Sequence, residues 1–271
     1  MTRGNQFNYY LSPSVSSSYT NQWGDHFFKA MAGFQMEVQQ NSSMYAYKDG
    51  VMSDDTFSFD NANGKAYNSE ARDHWATMGF YTRLNWNYQN VYFLEFSGRY
   101  DGSSRFASGN RWGFFPAAAV AWRMSNEDFL KESEVVSNLK LRVSYGASGN
   151  DRISSDIYQK LYGISSSRPA GWEETSRYYY QFYNTKELYN PHVKWETTIT
   201  RNLAVDFGFF RERLSGSLEF YWNTVKDLLL SSTIPGYTGY THLMENVGQT
   251  SNRGVELSLT GYIMDRPDFT L

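Results

Sequence analysis

The sequence predicts an all-β fold: an antiparallel transmembrane β-barrel wall with short turns on one rim and long loops on the other. Three observations predict it. Segments of about ten residues alternate strictly, as in Tyr92, Leu94, Phe96, Gly98 and Tyr100 against Phe93, Glu95, Ser97, Arg99 and Asp101, which is the period of a strand with one apolar face. Connections alternate between short and long. Charged strand residues fall on the face opposite the apolar one.

The elements follow in order. Phe7 to about Tyr19 reads as a weak, Ser-rich strand, and Thr20 to Asp25 as a short connection. From His26 to Val38, Phe28, Ala30, Ala32, Phe34 and Met36 share one face. Gln39 to about His74 reads as a long polar loop. Trp75 to Tyr88 is the cleanest strand, with Ala76, Met78, Phe80, Thr82, Leu84 and Trp86 on one side. A turn at Gln89-Asn90-Val91 leads into the Tyr92 strand. Asp101 to Arg111 is the next loop, after which Ala118, Val120, Trp122 and Met124 oppose Ala117, Ala119, Ala121 and Arg123.

Ser125-Asn126-Glu127-Asp128 has the chemistry of a helix cap and predicts a short helical turn to about Val136. Leu139, Leu141, Val143 and Tyr145 alternate with Lys140, Arg142 and Ser144, and a long aromatic loop spans Gly146 to Lys194. The strands containing Leu203–Phe209 and Leu214–Trp222 are joined by a tight turn at Arg211-Glu212-Arg213. A third long loop covers about Lys226 to Asn246. Val255, Leu257 and Leu259 mark a further strand, and Asp268 to Leu271 reads as the opening of another. The total is about ten strands, each of roughly the nine to eleven residues a tilted spanning strand requires.

Charge placement is an independent check. A basic residue on the lipid face near the midplane costs about 2–4 kcal/mol. Arg83, Arg99, Arg123, Arg142, Asp206, Glu219 and Glu256 all lie opposite the apolar face, and a one-residue slip would turn each into lipid. Arg201 is the exception, because it shares a face with Leu203; it is tolerated only at the loop-side rim. A soluble β protein also alternates, but its strands are usually of about five or six residues. Loops of about 40 residues are uncommon in compact soluble domains.

Composition removes several other classes. Net charge is −3, with 25 basic and 28 acidic residues, so no nucleic-acid surface is implied. Aromatics make up 18% of the chain, and these are strand formers. Mean hydropathy is −0.60, and no apolar run is long enough for a transmembrane helix, which leaves a barrel open. There are no cysteines, so thiolate chemistry is excluded. The N-terminus has no apolar signal segment. His26, His74, His192 and His242 are isolated, and no nucleophile elbow, phosphate loop or dinucleotide fingerprint occurs. No enzyme, cofactor or metal is expected; Asp54, Asp55 and Asp60 read as a solvated acidic loop rather than a calcium site.

Arg99-Tyr100-Asp101-Gly102-Ser103-Ser104-Arg105-Phe106, with Asn110-Arg111-Trp112-Gly113-Phe114-Phe115-Pro116 and Ala121-Trp122-Arg123, resembles a signature of the SusC/RagA-type TonB-dependent outer-membrane transporters of Bacteroidetes. The likeness continues through Leu139–Gly146, Gly149-Asn150, Trp195–Thr198, Asp206–Phe210, Asp227–Leu229, Asn246–Gly248 and Asn252–Leu257. It implies a barrel of about 22 strands closed by an N-terminal plug, with a SusD-like surface lipoprotein as lid and TonB-ExbB-ExbD as the motor that acts on the plug. On that likeness residues 1–271 are an internal section of the barrel, without plug or closing strands. The implied function is import of nutrients, glycans or peptides, across the outer membrane. A non-transporting barrel or adhesin is the other reading.

The candidate ligand contacts are Trp172, Tyr178, Tyr179 and Tyr180, in a loop that interleaves rings with Arg168, Glu173, Glu174 and Arg177. Ring faces beside polar groups suit glycan or peptide capture. Packing of the loop on itself, contact with a lid protein, or a place in the interfacial girdle are the alternatives. Trp86, Trp122 and Trp222 are assigned to the lipid face or girdle.

Overall fold

A computed structural model describes residues 2–50, 59–165, 181–184, 186–262, 265–266 and 269–270. Ten strands form one sheet: β1 (Thr2–Leu11), β2 (Ser14–Trp23), β3 (His26–Lys48), β4 (Ala66–Tyr88), β5 (Tyr92–Ser103), β6 (Trp112–Arg123), β7 (Val136–Asn150) and, after the short pieces β8 (Tyr162–Ser165), β9 (Gln181–Asn184) and β10 (Glu187–Leu188), β11 (Glu196–Phe209) and β12 (Leu214–Lys226), then β15 (Gln249–Gly261). Between β12 and β15 lie β13 (Leu229–Thr233) and β14 (His242–Asn246); β16 (Asp265–Arg266) and β17 (Phe269–Thr270) pair only with each other. β1 and β2 both pair antiparallel with β3, each later wall strand pairs antiparallel with the wall strand before it, and the first and last lanes are not joined.

Register confirms the predicted faces. Trp86, Leu94, Val120, Val143, Leu203, Phe220 and Val255 lie on one side of the sheet, linked lane to lane by direct pairs or by a step of two residues along a strand. Leu94 is 46% exposed and Leu257 60%. An apolar face this wide and this open is what a bilayer covers. Arg83, Arg99, Arg123, Arg142, Asp206, Glu219 and Glu256 occupy the other side.

The short-turn rim is an aromatic belt. Stacked or tilted rings run from His26 and Trp86 through Tyr88 and Tyr92 to Trp122, with centroid spacings of 4.6–6.5 Å between neighbours. Here the predicted helical turn is short: a 3₁₀ turn at Met124–Asn126 is followed by one hydrogen-bonded turn in which Leu130 and Lys131 N–H donate to Glu127 O, and β7 begins at Val136. The Glu127 carboxylate accepts hydrogen bonds from the Tyr92 hydroxyl at 2.6 Å and Trp122 Nε1 at 3.0 Å. Rings with polar tips held at the edge of an apolar band suit the membrane interface. At the β4–β5 turn, Gln89 (φ 53°) and Asn90 (φ 54°) are both left-handed and Val91 N–H donates to Tyr88 O. This is the type I′ geometry that matches strand twist.

Several loops are shorter than predicted. The ladder of β3 with β4 continues from His26↔Tyr88 out to Lys48↔Ala66, so Gln39–His74 is largely strand. At about 3.3 Å per residue these 23-residue strands are about 76 Å long, far more than a bilayer needs. Their distal halves are polar on both faces because they stand in water, and that polarity mimicked a loop. Near the tip the Tyr47 hydroxyl donates to Asp49, and that hydrogen bond, with the carboxylate's charge, raises the tyrosine pKa.

The weak N-terminal strand is a single lane of two pieces. β1 and β2 pair with β3 in one continuous register, interrupted at Ser12-Pro13, where proline supplies no N–H. The Asp101–Arg111 loop loses Asp101–Ser103 to β5, and β7 runs on to Asn150. Among the described residues the wall therefore has ten strands in nine lanes, and Phe269–Thr270 pairs with β16 rather than with the wall.

Because the apolar face has no protein layer against it and both outer lanes are open edges, this chain alone is expected to aggregate without detergent. A monodisperse, cooperatively melting species by light scattering and circular dichroism would contradict the membrane-facing assignment.

Candidate functional site: the inner wall and the loop knot above it

The inner wall is a charge-paired surface. Arg142 of β7 grips Asp206 of β11 through two bonds of 2.7 and 2.8 Å, the planar fork geometry of a guanidinium on a carboxylate. Arg83 lies 3.5 Å from Glu95, and Arg99 lies 3.0 Å from Asp101. Arg123 and Lys140 both approach the Phe93 ring, at 5.2 and 5.1 Å. Ala117, Ala119 and Ala121 of β6 are small and lower the wall between these groups. A depression of about 360 Å³ results, bordered by Asn85, Glu95, Lys140, Arg142 and Asn202. Such a surface can bind and orient polar matter. Among the described residues no three His, Asp or Glu side chains are grouped to hold a metal.

Above the wall, the motif residues converge. Phe106 is fully buried, packed with Ile153, Ile157 and Val193, and covered by Trp195, Leu229 and Met244. Trp195 tilts onto Phe106 at 5.3 Å, meets Phe115 edge-on at 5.4 Å, and donates from Nε1 to Arg111 O at 2.9 Å. The Phe115 ring lies across Gly113 and Gly149, where any Cβ would collide with it, so both positions require glycine for close approach.

Polar staples surround this small core. Ser103 Oγ donates to Asp151 at 2.8 Å, and Arg105 lies 3.5 Å from the same carboxylate and 4.4 Å from the centre of the Trp75 ring. Glu196 accepts from Asn150 Nδ2 and from Leu229 N–H, both at 3.0 Å. Asn246 Nδ2 donates to Lys194 O and Asp227 O, and its Oδ1 accepts from Lys194 N–H at 2.8 Å. Three connections, β5–β6, β7–β11 and β12–β15, are thus tied together by side chains. Within the last, the predicted Lys226–Asn246 loop holds the hairpin β13–β14, against which β10 pairs in parallel.

This knot is the part of the molecule that sequence reasoning missed. The motif was visible, but a signature spread over 150 residues does not say that its members touch. One signal existed: rings and amides recur at the loop end of each strand, where solvent alone would favour plain turn residues.

Trp172, Tyr178, Tyr179 and Tyr180 lie outside the described residues. So do Asp54 and Asp55, while Asp60 sits in a described turn. The aromatic segment is carried by a two-stranded stem, with Tyr162 opposite Asn184 and Ser165 opposite Gln181. Arg201 takes the position expected of it, facing outward beside Leu203 near the loop rim, between Tyr145 and Trp222.

A sheet with one lipid-exposed face, one charge-paired face, short turns below and stapled loops above defines a section of an outer-membrane β-barrel wall. Residues 2–271 match the TonB dependent receptor-like β-barrel family, and the chain belongs to that family. It is 31% identical to the TonB-dependent receptor SusC of Bacteroides thetaiotaomicron, over 98% of this chain and 26% of that protein. It is 30% identical to the TonB-dependent receptor P3 of Formosa agariphila, over 93% of this chain and 25% of that protein. Among solved structures it is similar to the RagAB peptide importer in its closed-closed state, with TM-score 0.84 and 26% identity, covering 99% of this chain and 29% of that one. The chain spans about a quarter of the length of the curated relatives it matches.

Proposed function

We propose that this chain is a section of the barrel of a TonB-dependent importer that brings oligomeric nutrients across the outer membrane, glycans in the first instance. The carrying observation is the division of one sheet into an apolar outer face and a charge-paired inner face, in a chain whose 31%-identical relative is SusC. A lined lumen is of use only if something polar occupies or passes it. In this reading a SusD-like lipoprotein closes the loop side, and TonB-ExbB-ExbD acts on a plug carried elsewhere in the protein. Peptide cargo is the second reading, favoured by similarity to a structure described as a peptide importer.

Trp172, Tyr178, Tyr179 and Tyr180, which lie in sequence between β8 and β9, are proposed to contact the cargo. The test is Trp172→Ala with Tyr179→Ala in the complete transporter. Two lost ring contacts of about 0.5–1.5 kcal/mol each should weaken affinity roughly tenfold, while the barrel still assembles. Calorimetry with defined oligosaccharides and, in parallel, oligopeptides decides the cargo class. Unchanged affinity with a weakened hold on the lipoprotein would move these rings to the lid interface. Binding of neither cargo class by the native protein would favour a non-transporting barrel.

A further inference from the structure

The outward face carries two positive charges, one on each side of a tryptophan, on the loop side of the apolar columns. On β11, Phe209, Phe207, Val205 and Leu203 are followed by Arg201; on β12, Leu218 and Phe220 are followed by Trp222; on β15, Leu259, Leu257 and Val255 are followed by Arg253. The register Arg201↔Trp222↔Arg253 sets the three side by side on the loop-side half of the wall. Two lane spacings place the arginine Cα atoms about 10 Å apart.

The arginines are arranged for something other than a protein acid. The Arg201 guanidinium lies 5.1 Å from the Trp222 ring centre and 6.0 Å from that of Tyr145, and it donates to Thr224 Oγ1 at 3.4 Å. Trp222 is fixed in turn by its Nε1 bond to Ser251 Oγ at 3.0 Å. Among the described residues neither Arg201 nor Arg253 forms an ion pair, and the acids of these strands, Asp206, Glu219 and Glu256, occupy the opposite face. Beside the row an outward groove of about 400 Å³ is lined by Val143, Tyr145, Arg201, Leu203, Phe220 and Trp222. Cationic heads thus stand at the edge of an apolar trough that opens toward the bilayer.

We propose that Arg201, Trp222 and Arg253 bind the anionic phosphate-monoester headgroup of a lipid in the outer leaflet, in preference to a zwitterionic one, with an acyl chain lying in the groove. Guanidinium matches phosphate with paired hydrogen bonds, a tryptophan at this depth suits the headgroup boundary, and lipid phosphate neutralises charge that the protein leaves unmatched. The inference rests on the outer-membrane placement, not on transport.

The test uses the complete transporter in lipid nanodiscs, with Val255→Cys bearing a bimane fluorophore and any other cysteine replaced. Val255 is 59% exposed and lies one outward position below Arg253. Brominated phosphatidic acid should quench at an about tenfold lower mole fraction than brominated phosphatidylcholine, the order of one charge-assisted bond. Arg201→Gln with Arg253→Gln should abolish that preference, and Arg201→Lys should keep part of it. Arg253→Gln alone serves if the double variant assembles poorly. Equal quenching by the two lipids, or a preference that survives neutralisation, overturns the site while leaving the face in lipid. Quenching by neither lipid shows a protein covering this face, and overturns the lipid occupant.

Discussion

Phe96→Arg in the complete protein is expected to prevent barrel assembly, whereas Ala119→Arg, on a neighbouring strand but the other face, should be tolerated. Phe96 lies midway along the outward column between Tyr92 and Tyr100 and is 43% exposed to what becomes lipid. A guanidinium there costs about 2–4 kcal/mol, which is about 30- to 1,000-fold in the folding equilibrium at about 1.4 kcal/mol per tenfold. Ala119 pairs directly with Glu95 on the inner wall, so an arginine there gains a carboxylate and remains hydrated. Ser97 and Tyr81, on the same inner face, are less suited to an added arginine: Ser97 pairs with Arg83, and the Tyr81 ring already faces the Arg99 guanidinium at 5.6 Å. The heat-modifiable folded band on electrophoresis reads the outcome. Equal loss at Phe96 and Ala119 would refute the assignment of faces.

Phe106→Ala is expected to open the loops and leave the wall standing. Phe106 is 0% exposed at the centre of the knot, and truncating such a ring costs about 3–5 kcal/mol. The strands beneath are held by their own backbone ladders, none of which passes through Phe106. Limited proteolysis should therefore cut near Ile153–Ile157 and Pro191–Trp195 in the variant and not in the native protein, with the heat-modifiable band retained. Loss of that band together with the loops would show that the knot is needed to build the barrel. Unchanged proteolysis would show that the polar staples hold without the core.

The two cases differ in what the sequence displays. Facing is a property of alternate residues within one strand, so Leu94 against Glu95, or Val143 against Arg142, can be assigned from neighbours alone. Arg201 is the instructive exception, because its outward placement was legible but its environment was not. Tyr145 and Trp222 come from strands on either side, and their approach depends on register across three lanes.

The sequence by itself determined the fold class, the face of the wall strands from His26 onward, the alternation of turns and loops, and the family. All of these follow from local periodicity and short motifs, which need no contact between distant residues. The tertiary structure decided where the strands end, because a polar two-sided strand such as Gln39–Ser43 looks like a loop until its partner Ala71–Trp75 is seen beside it. It also decided how the short turn after Met124 is anchored, since the Glu127 carboxylate accepts from Tyr92 and Trp122 of the adjoining strands. And it decided what the signature motif does, for Phe106, Asp151, Trp195, Glu196 and Asn246 meet only once three loops are folded over one rim. Contacts between residues up to about 140 positions apart are set by packing and by loop closure, and no local pattern encodes them.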